Sequence, residues 1–190
     1  MSQSVVFVGD GLTAGGRWNE WLPEYEVRNL GVSGYTTQEV VASLDEIVAS
    51  ESESARDAVV LQVGTNDLGW RRSDEYIVRN LETIICHLRK RLPDARILVV
   101  SVLPRERDYC DVLRSINRHL RQFAPTQHAQ FLDLWPTMAQ PDGELVSAFT
   151  TDRLHLTDEG YAAWLAELKP ALEYIFGRPP SSTAIPIHSI

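Results

Sequence analysis

Two polar stretches of the 190-residue sequence carry residues whose types and spacing could do chemistry. Near the start, the apolar run Val5–Val8 leads straight into Gly9-Asp10-Gly11-Leu12 and then a helix signal. A strand that ends in a tight polar turn is a good place for a reactive side chain, yet Gly11 at the apex has none. Late in the chain, Asp152 and His155 have the spacing of an acid–base pair, which also suits a helix cap or a surface ion pair.

Two further loops place glycines and amide side chains after apolar segments. The stretch Asn29-Leu30-Gly31-Val32-Ser33-Gly34 follows a weak strand signal, and Gly64-Thr65-Asn66-Asp67 follows a strong one. Each loop alone is typical of an ordinary turn, because these residue types favour turns. Any chemistry therefore depends on a fold that brings the separate stretches together.

Apolar runs alternate with amphipathic helix patterns along the chain. The predicted strands are Val5–Val8, Glu26–Leu30, Ala58–Val63, Ile97–Leu103 and Phe131–Leu134. The predicted helices are Thr37–Ala49, Asp74–Leu92, Asp108–Phe123 and Thr157–Phe176. Continuous Val/Ile/Leu runs indicate strands covered on both faces, so the sequence predicts an α/β fold, a doubly wound parallel sheet of about five strands with helices on both faces. Ligands bind such a sheet at the carboxyl ends of its strands, where these loops would lie.

Taken together and in this order, the loops resemble those of the GDSL-type esterases, also called the SGNH hydrolase family. The family pattern is Gly-Asp-Ser-Leu, Asn-x-Gly-x-x-Gly, Gly-x-Asn-Asp and a late Asp-x-x-His, and it is matched at 9–12, 29–34, 64–67 and 152–155 except for the serine. The resemblance covers about residues 4–176 and implies one three-layer, flavodoxin-like domain over 1–176. The short chain and Leu103-Pro104-Arg105 resemble the branch that contains the platelet-activating-factor acetylhydrolase catalytic subunits.

The resemblance implies hydrolysis of a carboxylic ester. Position 11 would hold the nucleophile, His155 would be the general base, and Asp152 would orient His155. The backbone N–H groups of residues 11 and 34 and the side-chain amide of Asn66 would form an oxyanion hole. The implied catalytic set is Gly11, Gly34, Asn66, Asp152 and His155.

Side chains near these loops are candidates for substrate contact. The predicted substrate-binding set is Asp10, Leu12, Tyr35 and Trp70, with Trp70 as the main pocket-wall candidate. Tyr35 departs from the aspartate that many relatives have after the second glycine. Trp18 and Trp21 are expected on a helix that covers the sheet. Arg105 and Arg107 are interpreted as solvated loop arginines, with contact to an anionic alcohol portion of the substrate as the alternative.

Glycine at position 11 closes the acyl-enzyme route, and three explanations stand. The glycine is an introduced change in an active esterase of short-chain, acetyl-like esters. Alternatively, the chain is a natural pseudoenzyme or a binding module for an ester or glycan ligand. In the third explanation, Ser33 or a water activated by His155 attacks instead, although Ser33 is more simply a turn serine. The match of Asp152 and His155 to the family favours the first explanation.

Composition limits the partners of the protein. The net charge of −8 excludes a nucleic-acid partner, and neither a signal peptide nor a membrane-spanning stretch is visible, so a cytoplasmic location is expected. No cofactor and no metal site are implied. The proline-containing tail from Gly177 to Ile190 is predicted to be an extended appendage through which a homo-oligomer could form.

Overall fold

The computed structural model describes residues 2–49 and 57–179 and contains a single five-stranded parallel sheet within them. The strands are β1 (Ser4–Gly9), β2 (Glu26–Asn29), β3 (Ala58–Gln62), β4 (Arg96–Val100) and β5 (Gln130–Leu132). Their spatial order is β2-β1-β3-β4-β5, and every neighbouring pair is parallel. The predicted α/β fold class is confirmed.

The strand order sets where the functional loops meet. The chain leaves β1 for β2 on one side and later returns to β3 on the other, so β1 and β3 flank the switch point of the sheet. Gly9, the last residue of β1, is in register with Gln62, the last residue of β3. Open α/β sheets bind ligands in the crevice at this point. The loops that follow these two strands therefore form the centre of the candidate site.

Helices cover both faces of the sheet. Within the described residues they are α1 (Gly11–Ala14), α2 (Trp18–Trp21), α3 (Thr37–Ala49), α4 (Thr65–Gly69), α5 (Asp74–Arg91), α6 (Cys110–Phe123), α7 (Trp135–Met138) and α8 (Asp158–Phe176). The core on one face joins Val6 and Val8 of β1 to apolar residues of α3, α5 and α6. The core on the other face joins Val5 and Phe7 to residues of α2, α7 and α8. Alternate residues of β1 thus enter opposite layers, as a fully buried parallel strand requires.

Trp18 anchors the segment that follows β1. Its buried indole stacks on Phe7 with ring centroids 4.6 Å apart, and it meets Trp164 of α8 edge-on at 5.1 Å. The Trp18 Nε1–H donates to the carbonyl of Thr13 at 2.8 Å. This aromatic contact fixes α1 and α2 against the sheet, as the expected covering role of Trp18 predicts.

The predicted strand Ile97–Leu103 runs three residues beyond the end of β4, and an asparagine side chain accounts for the difference. The apolar run was expected to be a strand through Leu103, but β4 ends at Val100. Beyond that point the Asn117 side chain replaces a neighbouring strand: its Oδ1 accepts from Val102 N at 2.8 Å and its Nδ2 donates to Val102 O at 2.9 Å. Hydrophobicity predicted the burial of this segment but not the source of its hydrogen bonds.

The end of the last helix is attached to the sheet by an arginine side chain. At the end of α8, the Arg96 guanidinium donates to the carbonyls of Ile175 and Arg178 at 2.8 Å each, which holds the last turn of the helix and the residues after it against β4. Residues 180–190 lie outside the described residues, so a role for the tail in oligomers stays a prediction. Among the helices that the structure describes, none has the length and apolar character needed to cross a membrane.

Candidate active site

The loop after β1 is fixed on both sides of Gly11. Asp10 caps α1, because its Oδ1 accepts from the backbone N–H of Leu12 at 3.0 Å. The Tyr161 hydroxyl of α8 donates to the carbonyl of Leu12 at 2.8 Å. Gly11 is therefore the first residue of α1, a short helix held by the Asp10 cap at its start and by the hydrogen bond from Tyr161.

The backbone at position 11 does not require glycine. Its φ is not among the positive values of the described glycines, which belong to Gly34, Gly64 and Gly143. A Cβ built on Gly11 would meet its nearest neighbours, Ser33 Cα and Ser33 Oγ, at 3.4 Å each. These are ordinary van der Waals distances, so the site has room for a Cβ at position 11.

The Asn29–Gly34 loop lies against α1 through the asparagine side chain. Asn29 Nδ2 donates to the carbonyl of Thr13 at 3.0 Å, and Asn29 Oδ1 accepts from Gly31 N at 3.0 Å. A Cβ on Gly31 would come within 2.5 Å of Ala14 N, so this close approach of two backbones requires glycine. The Asn-x-Gly spacing thus sets the distance between the second loop and the first.

Gly34 completes the turn that faces position 11. The N–H of Tyr35 donates to the carbonyl of Val32 at 3.2 Å, and Gly34 has a φ of +81°, which suits the third position of a type II turn. The backbone nitrogen of Gly34 lies 3.8 Å from the position of a Cβ on residue 11. A backbone donor therefore lies next to the place where a nucleophile would be.

Asn66 joins the third loop to the second. It belongs to α4, and its Nδ2 donates to the carbonyl of Tyr35 at 2.8 Å, which leaves one amide N–H for another acceptor. The next residue, Asp67, is buried and accepts from the backbone N–H of Thr37 at 2.8 Å and from its hydroxyl at 2.6 Å. Burial raises the pKa of Asp67, while these two hydrogen bonds lower it. The loop containing Asn66 is thus attached to the start of α3.

Arg105 holds the loop that contains Thr65 and Asn66, and its interpretation as a solvated arginine is wrong. The residue is buried, its Nη1 donates to the carbonyl of Thr65 at 2.9 Å, and its Nε pairs with Glu106 at 3.1 Å. Its guanidinium also lies 4.7 Å from the ring centre of Tyr109. The structure gives Arg105 a structural role beside Asn66, whereas Arg107 is exposed.

Asp152 and His155 form a hydrogen-bonded pair. His155 Nδ1 lies 2.6 Å from Asp152 Oδ2, and the other carboxylate oxygen accepts from the backbone N–H groups of Leu154 and His155 at 3.0 and 2.8 Å. The hydrogen bonds from His155 hold the pKa of Asp152 well below its usual range. Because the ionised carboxylate only accepts, Nδ1 must donate, and in a neutral imidazole the lone pair is then on Nε2. An imidazole held in this way can act as a general base.

These residues surround one small cleft of about 30 Å³. Its lining is Asp10, Gly11, Leu12, Ser33, Gly34, Thr65, Asn66, Leu154 and His155. Asp152 lies behind His155, whose side chain is 68% exposed. The sequence motifs identified most of this lining. Thr65 and Leu154 were not singled out, although both lie between motif residues.

The structure does not bring Tyr35 and Trp70 to the cleft as wall residues. Trp70 directly follows α4, its side chain is 73% exposed, and it is not part of the cleft lining. The half-buried Tyr35 packs against the hydrophobic core beneath α3, and its contribution to the site is its carbonyl, which accepts from Asn66. Neither side chain lines the cleft, so contact of Tyr35 or Trp70 with a bound substrate stays a prediction.

Asp10 is a buried acid at the edge of the cleft. Burial raises its pKa to about 7, and the nearby Asp67 adds to the shift, while N–H groups of Leu12 and Gly64 oppose it. Its Oδ2 has no hydrogen-bond partner within the described residues. Tyr161 lies above the same loop, and burial followed by the charge of Asp10 raises its pKa to about 12. In residues 2–49 and 57–179 no cluster of His, Cys, Asp or Glu is suited to hold a metal ion.

Comparisons with known proteins agree with this geometry. The chain is 32% identical over 167 residues to platelet-activating factor acetylhydrolase IB subunit alpha1 of Bos taurus, a match that covers 83% of this chain and 69% of that protein. The alpha2 subunit of Rattus norvegicus is 30% identical over 168 residues, covering 83% of this chain and 71% of its own.

Solved structures share the fold. A protein from Streptococcus pneumonia, provisionally named a platelet activating factor, superposes with a TM-score of 0.80 at 27% identity over 90% of this chain and 85% of its own. A GDSL-like lipase from Bacteroides thetaiotaomicron gives a TM-score of 0.74 at 25% identity over 91% and 89% of the two chains. The model of the GDSL-like lipase/acylhydrolase family matches residues 7–163. This chain belongs to that family of esterase-type hydrolases, as its loop motifs predict.

Proposed function

We propose that the chain is a carboxylic ester hydrolase for short acyl esters whose activity is greatly reduced because Gly11 stands at the nucleophile's position. The observation that carries this proposal is the space at position 11. A Cβ there would make only ordinary contacts, and the backbone needs no glycine. The rest of the cleft keeps a general base and hydrogen-bond donors, so the missing hydroxyl is the single deficit.

With serine at position 11, each neighbouring group would have a defined task. His155 Nε2 would take the hydroxyl proton, and the resulting oxygen would attack the ester carbonyl. Asp152, ionised and 2.6 Å from Nδ1, would stabilise the imidazolium that forms. The N–H groups of Gly11 and Gly34 and the free amide N–H of Asn66 are suited to stabilise the oxyanion, each donor contributing ~3 kcal/mol. His155 would then protonate the leaving alcohol, and water would release the acid.

The size of the cleft supports a small acyl group. Its volume of about 30 Å³ is small for a ligand site. The cleft is also open, because the His155 side chain is 68% exposed. We therefore expect a small acyl group such as acetyl at the cleft, with the alcohol portion of a small-molecule ester outside in solvent. A long acyl chain finds no enclosed channel in this lining.

The test compares Gly11→Ser with the unchanged parent chain on p-nitrophenyl acetate. Loss of the serine nucleophile alone costs a serine hydrolase ~10⁶ in kcat, so kcat/KM should rise by at least ~10³ when the hydroxyl is restored. Gly11→Ala is the matched control, since it adds the Cβ without the hydroxyl and should give no gain. A Gly11→Ser protein that folds but hydrolyses no faster than Gly11→Ala contradicts the proposal and favours a binding module.

Acyl length is tested with the same variant. A series of p-nitrophenyl esters from two to twelve carbons should give the highest kcat/KM at the short end. Maximal activity at ten carbons or more contradicts the assignment of a small acyl site.

A further inference from the structure

Ser33 lies closer to the vacant nucleophile position than any other hydroxyl that the structure places there. Its Oγ is 3.4 Å from the position of a Cβ on residue 11, and both residues line the same cleft as His155. Ser33 is exposed, and its Oγ has no hydrogen-bond partner in the part of the chain that the structure describes. A hydroxyl with these properties is free to approach an ester bound in the cleft.

The residue after Ser33 supports a role for Ser33 as a nucleophile. Gly34 N lies 3.8 Å from the same Cβ position, so a backbone donor directly follows the serine. In other hydrolases the N–H of the residue that follows the nucleophile forms part of the oxyanion hole. Ser33 and Gly34 repeat that arrangement within the second loop, beside the free amide N–H of Asn66.

We infer that Ser33 is the nucleophile for the residual ester hydrolysis of the parent chain, an inference that rests on the proposed function. His155 Nε2 takes the Ser33 proton as Ser33 Oγ bonds to the acyl carbon. The carbon–oxygen bond to the alcohol then breaks, and His155 returns the proton to the leaving oxygen. In the second half, His155 takes a proton from water, the hydroxide oxygen bonds to the acyl carbon, and Ser33 leaves with the proton.

The turn around Ser33 explains why this route is slow. The hydrogen bond from Tyr35 N to Val32 O at 3.2 Å and the positive φ of Gly34 fix the backbone of the turn. A serine at position 11 would attack from the start of α1, whereas Ser33 attacks from the opposite wall. The donors are shared by the two routes, but the reacting oxygen is displaced. A displacement of ~1 Å already lowers a rate by ~10², and Ser33 Oγ lies 3.4 Å from the Cβ position of residue 11, so the route is expected to be slower by at least ~10³.

The test measures residual p-nitrophenyl acetate hydrolysis in the parent chain, Ser33→Ala and Ser115→Ala, all purified identically. Ser33→Ala should lower the residual rate at least tenfold, while Ser115→Ala, which alters a serine on α6, should leave it unchanged. In the Gly11→Ser background, Ser33→Ala should cost much less, because residue 11 then attacks. If Ser33→Ala retains the residual rate, Ser33 is not the nucleophile and the inference is overturned.

Covalent labelling provides the second measurement. A small fluorophosphonate should phosphonylate the parent chain at Ser33 and the Gly11→Ser protein at residue 11, as located by peptide mass mapping. The Ser33 inference is overturned if Gly11→Ser is labelled at residue 11 while the parent chain shows neither a label at Ser33 nor residual hydrolysis. That result leaves the proposed function intact. Failure of Gly11→Ser to gain both label and activity overturns the proposed function itself.

Discussion

Replacing Asp10 by asparagine should make the stability of the protein less dependent on pH. Burial raises the pKa of Asp10 from 3.8 to about 7 in the folded chain. Between these values the folded state binds a proton that the unfolded state lacks, so the free energy of unfolding falls as pH rises. A difference of about 3 units at ~1.36 kcal/mol each gives about 4 kcal/mol in total, of which about 3 kcal/mol falls between pH 5 and pH 8.

Asparagine keeps the contact that matters for the fold. Its Oδ1 can still accept from Leu12 N, which Asp10 Oδ1 now does at 3.0 Å. The amide nitrogen would replace the unpartnered Oδ2, a cost that is the same at every pH. Since Asp67 and Tyr161 remain in both proteins, their titration largely cancels in the comparison between parent and variant.

Urea denaturation at pH 5 and pH 8 measures the effect. The difference in unfolding free energy between parent and Asp10→Asn should shift by about 3 kcal/mol in favour of the variant at the higher pH. Asp111→Asn, at an exposed position in the first turn of α6, is the control and should give parallel curves. Parallel curves for Asp10→Asn as well, within ~1 kcal/mol, would refute the conclusion that burial keeps this acid protonated.

Three further predictions concern the supports of the cleft. In the Gly11→Ser background, Asn66→Ala should lower kcat on p-nitrophenyl acetate by ~10²–10³ with little change in KM, and equal kcat values would exclude the amide as an oxyanion donor. In the same background, Trp70→Ala should leave kcat/KM within ~3-fold, because its side chain is 73% exposed and outside the cleft lining; a tenfold loss would place it at the substrate. Arg105→Gln should lower the free energy of unfolding by ~2 kcal/mol in urea, because Thr65 O loses its buried donor, whereas Arg107→Gln should stay within ~0.5 kcal/mol; equal effects would deny Arg105 its structural role.

The loop motifs predicted which residues meet at one edge of the sheet, because each motif has a local physical cause. Gly31 is needed where two backbones approach, and Asn29 sets the distance between two loops through its own side chain. Asp152 and His155 are three residues apart, so one loop can hold their hydrogen bond. The strand order then brings the separate loops to one edge of the sheet, as the alternation of strands and helices predicts.

Contacts between residues far apart in the chain could not be predicted from the sequence. The burial of Arg105 depends on the carbonyl of Thr65, and the end of β4 depends on the side chain of Asn117, both far away in the chain. The exposure of Trp70 depends on where α4 ends, which the sequence did not show. The proximity of Ser33 to position 11 likewise needed coordinates, because a turn serine and a cleft serine have the same sequence pattern.

Active-site labelling of Gly11→Ser tests the central claim most directly, which is that this esterase site lacks only its nucleophile. One fluorophosphonate group per chain, mapped to residue 11 and lost when His155→Ala is added, is the expected result. A folded Gly11→Ser protein that remains unlabelled at residue 11, or that is labelled equally without His155, would contradict it.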